Sequence, residues 1–404
     1  MGRSRCAAPL GAGSVFETWE LMPKAAKRYI LYHSLIVPTL FVWYIAPYVM
    51  LKVGLSIVEV GFLYVVGGLL SAALMPLLGS FLNQREPNDL LALDCIVSGL
   101  AYVLLACAFW LFSVPLMVVA LALDALSSSV RPAYVVYEYN VYPEEIREKA
   151  FVYHNLLPFA SQAISYPLLG FLFGVLFPEV HHLIAAMAII GLLSFLYTFV
   201  PLVWLPRVRE RVVLSEERKK DENKTSIREF VLTASILLLL IAANNLTPIP
   251  VFVNLLVEKF GENLLAVGVY EGIYGLTMVA LSASLLRVDK SKGKLLVMFS
   301  LLLDLLAYLL LGFGGAVSVI FLAAAFSSAS HAMFDPFYMD ALFSKVPDEK
   351  KGTLLGAMSG AGKAMSILVP FAGAVIAGML GASSPYVLSA FLVLAAIAIA
   401  YSTI

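Results

Sequence analysis

Ten charged or titratable side chains stand inside otherwise apolar stretches of this sequence: Asp94, Asp124, Arg131, Glu271, Asp304, Asp335 and Lys363, with His33, His154 and His331. Each is costly in apolar surroundings unless paired or hydrated, so each marks either a structural ion pair or a functional site. Asp124 and Arg131 are seven residues apart, almost two helical turns, and a continuous helix would put them on one face. They read as an ion-paired seam against a neighbouring helix or as the charged wall of a hydrated cavity. His331 and Asp335 are one turn apart and share a face in the same way. An imidazole beside a carboxylate suits proton exchange near neutral pH, and a histidine bonded to nearby backbone is the alternative. Glu271 could carry a proton or simply face water. Lys363 follows Gly352, Gly356 and Gly360, a spacing that permits close helix packing, so it faces protein. Its expected partner is Asp335, Glu271 or an anionic ligand. Asn244 and Asn245 are followed by Pro248 and Pro250, which free nearby carbonyls, so this stretch predicts a bend that contacts a ligand. Gln162, Tyr134 and Tyr137 add polar lining that suits small organic molecules.

The elements that position these residues follow from composition. Of 404 residues 61% are hydrophobic and 13% charged, against about 25% charged in a soluble domain. Such a chain has too little polar surface to cover a soluble fold. The charges are clumped, and apolar stretches of about 20 residues lie between the clumps, each long enough to cross a hydrocarbon core as a helix. Twelve crossings are predicted, at 29–51, 57–82, 90–112, 114–139, 150–177, 183–205, 230–257, 264–287, 295–313, 316–343, 353–380 and 384–402. Residues 1–28 have no apolar segment followed by a cleavage site and read as a retained tail. Residues 206–229 carry charges of both signs and read as a linker dividing a first bundle, 29–205, from a second, 230–404. With the N-terminus inside, 23 of the 27 Lys and Arg residues fall on inner segments and two, Lys52 and Lys259, on outer ones. That asymmetry places both termini in the cytoplasm, with the chain in the cell membrane. Zero net charge gives no sign of a nucleic-acid partner. Cys95 and Cys107 share one apolar run and show no metal-ligand spacing.

The two halves echo each other. Arg131-Pro132-Ala133-Tyr134 precedes Pro143-Glu144-Glu145 by the same distance that separates Asp335-Pro336-Phe337-Tyr338 from Pro347-Asp348-Glu349. Gly99-Leu100-Ala101-Tyr102 matches Leu305-Leu306-Ala307-Tyr308 at nearly the same offset. Consistent offsets in corresponding spans argue for a duplicated six-helix unit with a shared cavity between its copies.

Several segments then carry a resemblance. Gly79-Ser80-Phe81-Leu82-Asn83-Gln84-Arg85 and the stretch Ser284 to Lys294 resemble the loop signature of the major facilitator superfamily. The first has Asn83 where aspartate is usual. Pro143-Glu144-Glu145-Ile146-Arg147, Arg131, and Tyr166-Pro167-Leu168-Leu169-Gly170 are similar to further elements of that family, the last lacking its first glycine. The resemblance implies an all-α membrane fold of twelve helices in two pseudo-symmetric bundles. It implies that spans 1, 4, 7 and 10 line a central cavity and that spans 3, 6, 9 and 12 lie outside, which gives Asp94 and Asp304 a structural role. It also sets Arg131 and Asp335 across one axis, where they could pair, directly or through Tyr134 and Tyr338, as a gate.

The function expected is secondary transport of a small solute by alternating access, by a chain working as a monomer among membrane lipids. The chain contains no nucleotide-binding loop of the Gly-x-x-x-x-Gly-Lys-Ser/Thr type, so an ion or substrate gradient is the drive. The buried carboxylates and histidines favour protons, and no cofactor or metal is expected. The competing class is a polytopic membrane enzyme or lipid-handling protein. His181 and His182 beside Glu179 offer no third ligand at helical spacing for such a centre.

Overall fold

The apolar runs are helices, as a backbone in hydrocarbon must be. The computed structural model describes residues 19–20, 22–82, 85–127, 130–142, 147–208, 227–285, 292–344 and 351–403, some of them as helical backbone only. The first span is α1 (Lys24–Ile36), a 3₁₀ turn at Val37–Phe41 around Pro38, and α2 (Val42–Lys52). Its helix begins directly after Pro23, five residues before the predicted span start at 29. The second and third spans are α3 (Ile57–Leu82) and α4 (Pro87–Trp110).

The fourth span, expected as one helix over 114–139, is described in two helical stretches, α5 (Val114–Ser127) and α6 (Arg131–Val141). The Ser127 hydroxyl turns back onto the Asp124 carbonyl at 2.7 Å, a side-chain bond that competes with the helical ladder. Pro132 lacks a donor and suits the first turn of a helix. Residues 128–129, between the two stretches, lie outside the described residues.

The remaining elements are α7 (Arg147–Phe171), α8 (Val180–Tyr197), α9 (Ile227–Leu246), α10 (Ile249–Asn254), α11 (Leu264–Leu285), α12 (Gly293–Phe313), α13 (Val317–Ser344), α14 (Lys351–Leu380) and α15 (Ser384–Thr403). π-turns extend α7 to Leu176, α10 to Lys259 and, at Val200–Trp204, the sixth span. The seventh span breaks between α9 and α10 at Thr247 and Pro248, where the asparagine–proline stretch predicts a bend. Among the described residues eleven helical stretches are long and apolar enough to cross a membrane, and the shorter α5 belongs to the twelfth crossing.

Helix pairings repeat along the chain. α1 packs on α7, α2 on α8, α3 on α5, and α4 on both α5 and α8. The later helices repeat every pairing in the corresponding spans: α9 on α14 and α15, α11 on α13, and α12 on α13 and α15. Gly54 (φ 97°) and Gly261 (φ 65°) occupy equivalent connections, each in a left-handed turn that suits a residue without Cβ.

The two groups meet along α7–α11, α3–α14 and α2–α10. The α7–α11 seam is backbone against backbone. A Cβ on Gly170 would stand 2.7 Å from the Leu264 carbonyl oxygen, one on Gly275 the same distance from that of Phe159, and one on Gly268 would overlap the Tyr166 carbonyl. Across α3–α14, Gly61 lies against Ala374 and Gly378 against Val58. These contacts with Gly61, Gly170, Gly268 and Gly378 lie toward the membrane face that carries the turns at Gly54, Gly261 and Gly381.

Candidate functional site

Between the two groups lies a cavity of about 1040 Å³. Its first wall presents His33, Trp43, Asp94, Tyr102, Asp124 and Tyr134, and its second presents Asn244, Asn245 and Lys363. Hydrogen bonds fix these groups. The Trp43 indole donates to the Tyr102 hydroxyl oxygen at 3.0 Å, and Tyr102 in turn bonds to Asp124, which Tyr64 also faces. Tyr134 donates to Asp94 at 2.5 Å. Asn245 donates to the Ile241 carbonyl one turn back at 2.7 Å, while Asn244 accepts from the Tyr308 hydroxyl at 2.5 Å. Lys363 is exposed to the cavity and forms no ion pair among the described residues.

A second, smaller cavity of about 160 Å³ shares Asn244 with the first and is lined by two carboxylates, Glu271 and Asp304. Glu271 accepts from the Tyr44 hydroxyl at 2.5 Å and from the Gln162 amide at 2.7 Å. Its partners stand on α2 and α7, so this carboxylate fastens the first group to the second. Asp304 is only 6% exposed, and the His331 ring lies within its electrostatic reach. His331 Nδ1 is 2.9 Å from the Ser327 carbonyl. A carbonyl only accepts, so Nδ1 carries a proton in that bond. The Tyr386 hydroxyl is buried beside this cavity without a hydrogen-bond partner among the described residues.

A third cluster joins His33 and His154, which the sequence singles out, to Tyr29, Glu138 and Tyr142, which it does not. Tyr29 donates to Glu138 at 2.9 Å, His154 Nε2 stands 3.6 Å from the same carboxylate, and Tyr142 bonds to His154 Nδ1 at 2.9 Å. The His33 ring lies 4.6 Å from that of His154 and connects this cluster to the large cavity. Glu138 sits near the end of a predicted span, where a charge looks like an interfacial residue. Its place behind Arg131 in the same run was the available signal.

The structure thus brings Asp124, Tyr134, Asn244, Asn245 and Lys363 to one cavity, and Glu271 to another beside His331. Gln162 holds Glu271 and does not line the large cavity. Three expectations are corrected. Asp94 and Asp304 are not peripheral: each turns inward from its outlying span to line a cavity. Lys363 forms no ion pair with Glu271, which accepts instead from Tyr44 and Gln162. Tyr137 is fully buried and donates to the Pro206 carbonyl at 2.9 Å, a packing role. Tyr134 donates to Asp94, and Tyr338 to the Thr233 carbonyl. The side chains of Arg131 and Asp335 lie outside the described residues, as do the loop motifs at 143–146 and 286–291 and linker residues 209–226. No cluster of three or more His, Cys, Asp or Glu residues able to hold a metal occurs among the described residues.

An all-α membrane protein whose two helix groups enclose a solvated, charged cavity has the architecture of a solute carrier. The sequence matches the profile of the Major Facilitator Superfamily over residues 29–370, and the chain belongs to that family of transporters, which are not enzymes. No curated protein matches the sequence. Among solved structures it is similar to a bacterial homologue of the iron transporter ferroportin in its inward-facing state. The identity is 16% and the TM-score 0.70, with 94% of this chain and 98% of that chain covered. An outward-facing structure of a bacterial ferroportin homologue gives 14%, 0.61, 94% and 99%. A bacterial metal transporter gives 14% identity and a TM-score of 0.67 over 95% of this chain and 99% of that one.

Proposed function

We propose that the chain is a proton-coupled secondary transporter that moves a small solute by alternating access, as symport or efflux antiport. The observation that carries this reading is the pair of separate cavities sharing Asn244. One is large and furnished with both charge signs, and the other is small and purely acidic. Glu271 and Asp304 have no cationic side chain bonded to them among the described residues. Carboxylates inside a membrane span without a cation bonded to them are groups that can take up and release a proton along a transport pathway. Glu271 also joins the two groups, so its proton occupancy can bias their relative position.

In this reading residues 29–205 and 230–404 are two bundles joined by 206–229, and they rock about the cavity between them. The chain sits in the cell membrane with both termini cytoplasmic, as the lysine and arginine distribution supports. It works as a monomer, because one chain encloses the whole cavity. The inter-group contacts with Gly61, Gly170, Gly268 and Gly378 lie toward the turns at Gly54 and Gly261, the outer face in this orientation, which describes an inward-open state. The greater likeness to the inward-facing ferroportin homologue agrees with it. Arg131 and Asp335 are proposed to pair across the axis when the inner side closes. Uptake by proteoliposomes under an imposed pH gradient tests the whole: accumulation that follows the gradient supports it, and indifference to the gradient removes the proton.

A further inference from the structure

The charges of the large cavity sort by wall. Asp124 stands on α5 of the first group and Lys363 on α14 of the second. At the helical rise, Asp124 lies about 15 Å along α5 from one membrane face and Lys363 about 18 Å along α14 from the other, so both sit near mid-depth. The relay from Trp43 through Tyr102 orients the Asp124 carboxylate and places it beside an indole and a phenol. A fixed carboxylate with aromatic side chains at hand suits an ammonium group, to which a ring can add a cation–π contact. Lys363 extends into the cavity without an ion pair among the described residues. The Asp94 carboxylate already accepts from Tyr134.

A purely cationic solute would leave Lys363 uncompensated and add a like charge to it. A purely anionic one would face two carboxylates. A molecule that carries both charges satisfies both walls, and a cavity of about 1040 Å³ leaves room for an apolar body beside Ile367 and Leu105. We propose that the solute is an amphipathic zwitterion, its ammonium against Asp124 and the Trp43–Tyr102 wall and its anionic group on Lys363. This rests on reading the large cavity as the transport site. Because the two charges stand on opposite groups, the solute would tie the two walls together.

The test uses the purified full chain and matched probes at two sizes. The small set is phenylalanine, phenethylamine and 3-phenylpropionate, and the large set is phenylalanyl-phenylalanine with its C-terminal amide and its N-acetyl form. Thermal stabilisation and quenching of Trp43 fluorescence, with Trp43→Phe as the control, report binding. In at least one set the zwitterion should bind at least about tenfold more tightly than its cationic or anionic partner, the scale of one desolvated charge contact. Lys363→Met should then erase the advantage over the cation, and Asp124→Asn the advantage over the anion. The inference is overturned if no zwitterion binds, if the single-charge probes bind as well, or if Lys363→Met leaves the preference unchanged. Zwitterion binding with no uptake of the bound probe under any gradient would instead retain the site and overturn the transport reading.

Discussion

The two cavities share the side chain of Asn244 and little else. The large one collects both charge signs from both helix groups, and its polar groups are oriented by relays such as Trp43 to Tyr102. The small one takes its charge from Glu271 and Asp304, both on the second group, with Tyr44 reaching in from the first. The first can compensate a charged organic molecule, while the second is about a sixth of its volume and takes its charge from carboxylates alone. Separate sites let two species bind at once, as symport requires, and let one site influence the other in antiport.

The largest effect expected from that contrast is at Glu271. Glu271→Gln keeps partners for Tyr44 and Gln162 but cannot change charge. Gradient-driven accumulation should vanish in proteoliposomes, while exchange of labelled for unlabelled substrate persists. Loss of both would show that the small cavity is structural. The sign of the pH effect follows. In the native chain acidifying the side that supplies the proton should speed coupled transport, and in Glu271→Gln the rate should be flat with pH.

Next in size is the pair Tyr44→Phe and Tyr308→Phe. Tyr44 bonds to a carboxylate and Tyr308 to an amide, so their losses should be about 1.5–3 and about 0.5–1.5 kcal/mol respectively. Thermal unfolding in detergent ranks them, and equal losses would mean that Glu271 is neutral in the resting state.

A shift of about 1–3 kcal/mol in the conformational balance is expected from the gate. Arg131→Asp and Asp335→Arg singly should bias accessibility labelling toward inward-open, and the double swap should restore both labelling and transport. Swap data without restoration would leave the two residues in separate halves.

The smallest effect belongs to Tyr386→Phe, which removes the buried hydroxyl without a partner and should stabilise the protein by about 1 kcal/mol. A lowered melting temperature would instead reveal a bound water or ion using that hydroxyl.

Much of this arrangement was legible in the sequence. Hydropathy located the crossings because a charge-poor run of about 20 residues has few alternatives to a membrane helix. The bend after Asn245 was legible because Pro248 cannot donate to the ladder. The cost of burying charge found Asp124 and Lys363. It could not place Asp94 or Asp304, since family geometry ranks whole spans and one inward-turned side chain defeats the ranking. Tyr44 and Trp43 carried no signal, and Tyr102 only that of the repeat, because an aromatic in a membrane helix is ordinary until its hydroxyl or indole meets a polar partner.

The glycine seam between α7 and α11 has a mechanical consequence. With no side chains interlocked at Gly170 and Gly268, one helix can roll on the other as on a bearing, and this bearing sits near one end of the lever. α11 has 22 residues and is about 33 Å long. A tilt of about 15°, a size known for rigid-body rotation, would carry its far end, about 25 Å from Gly268, through about 7 Å. The throw at the mouth is therefore comparable to the width of a small organic molecule, while the atoms at the pivot shift by little more than their own thermal motion.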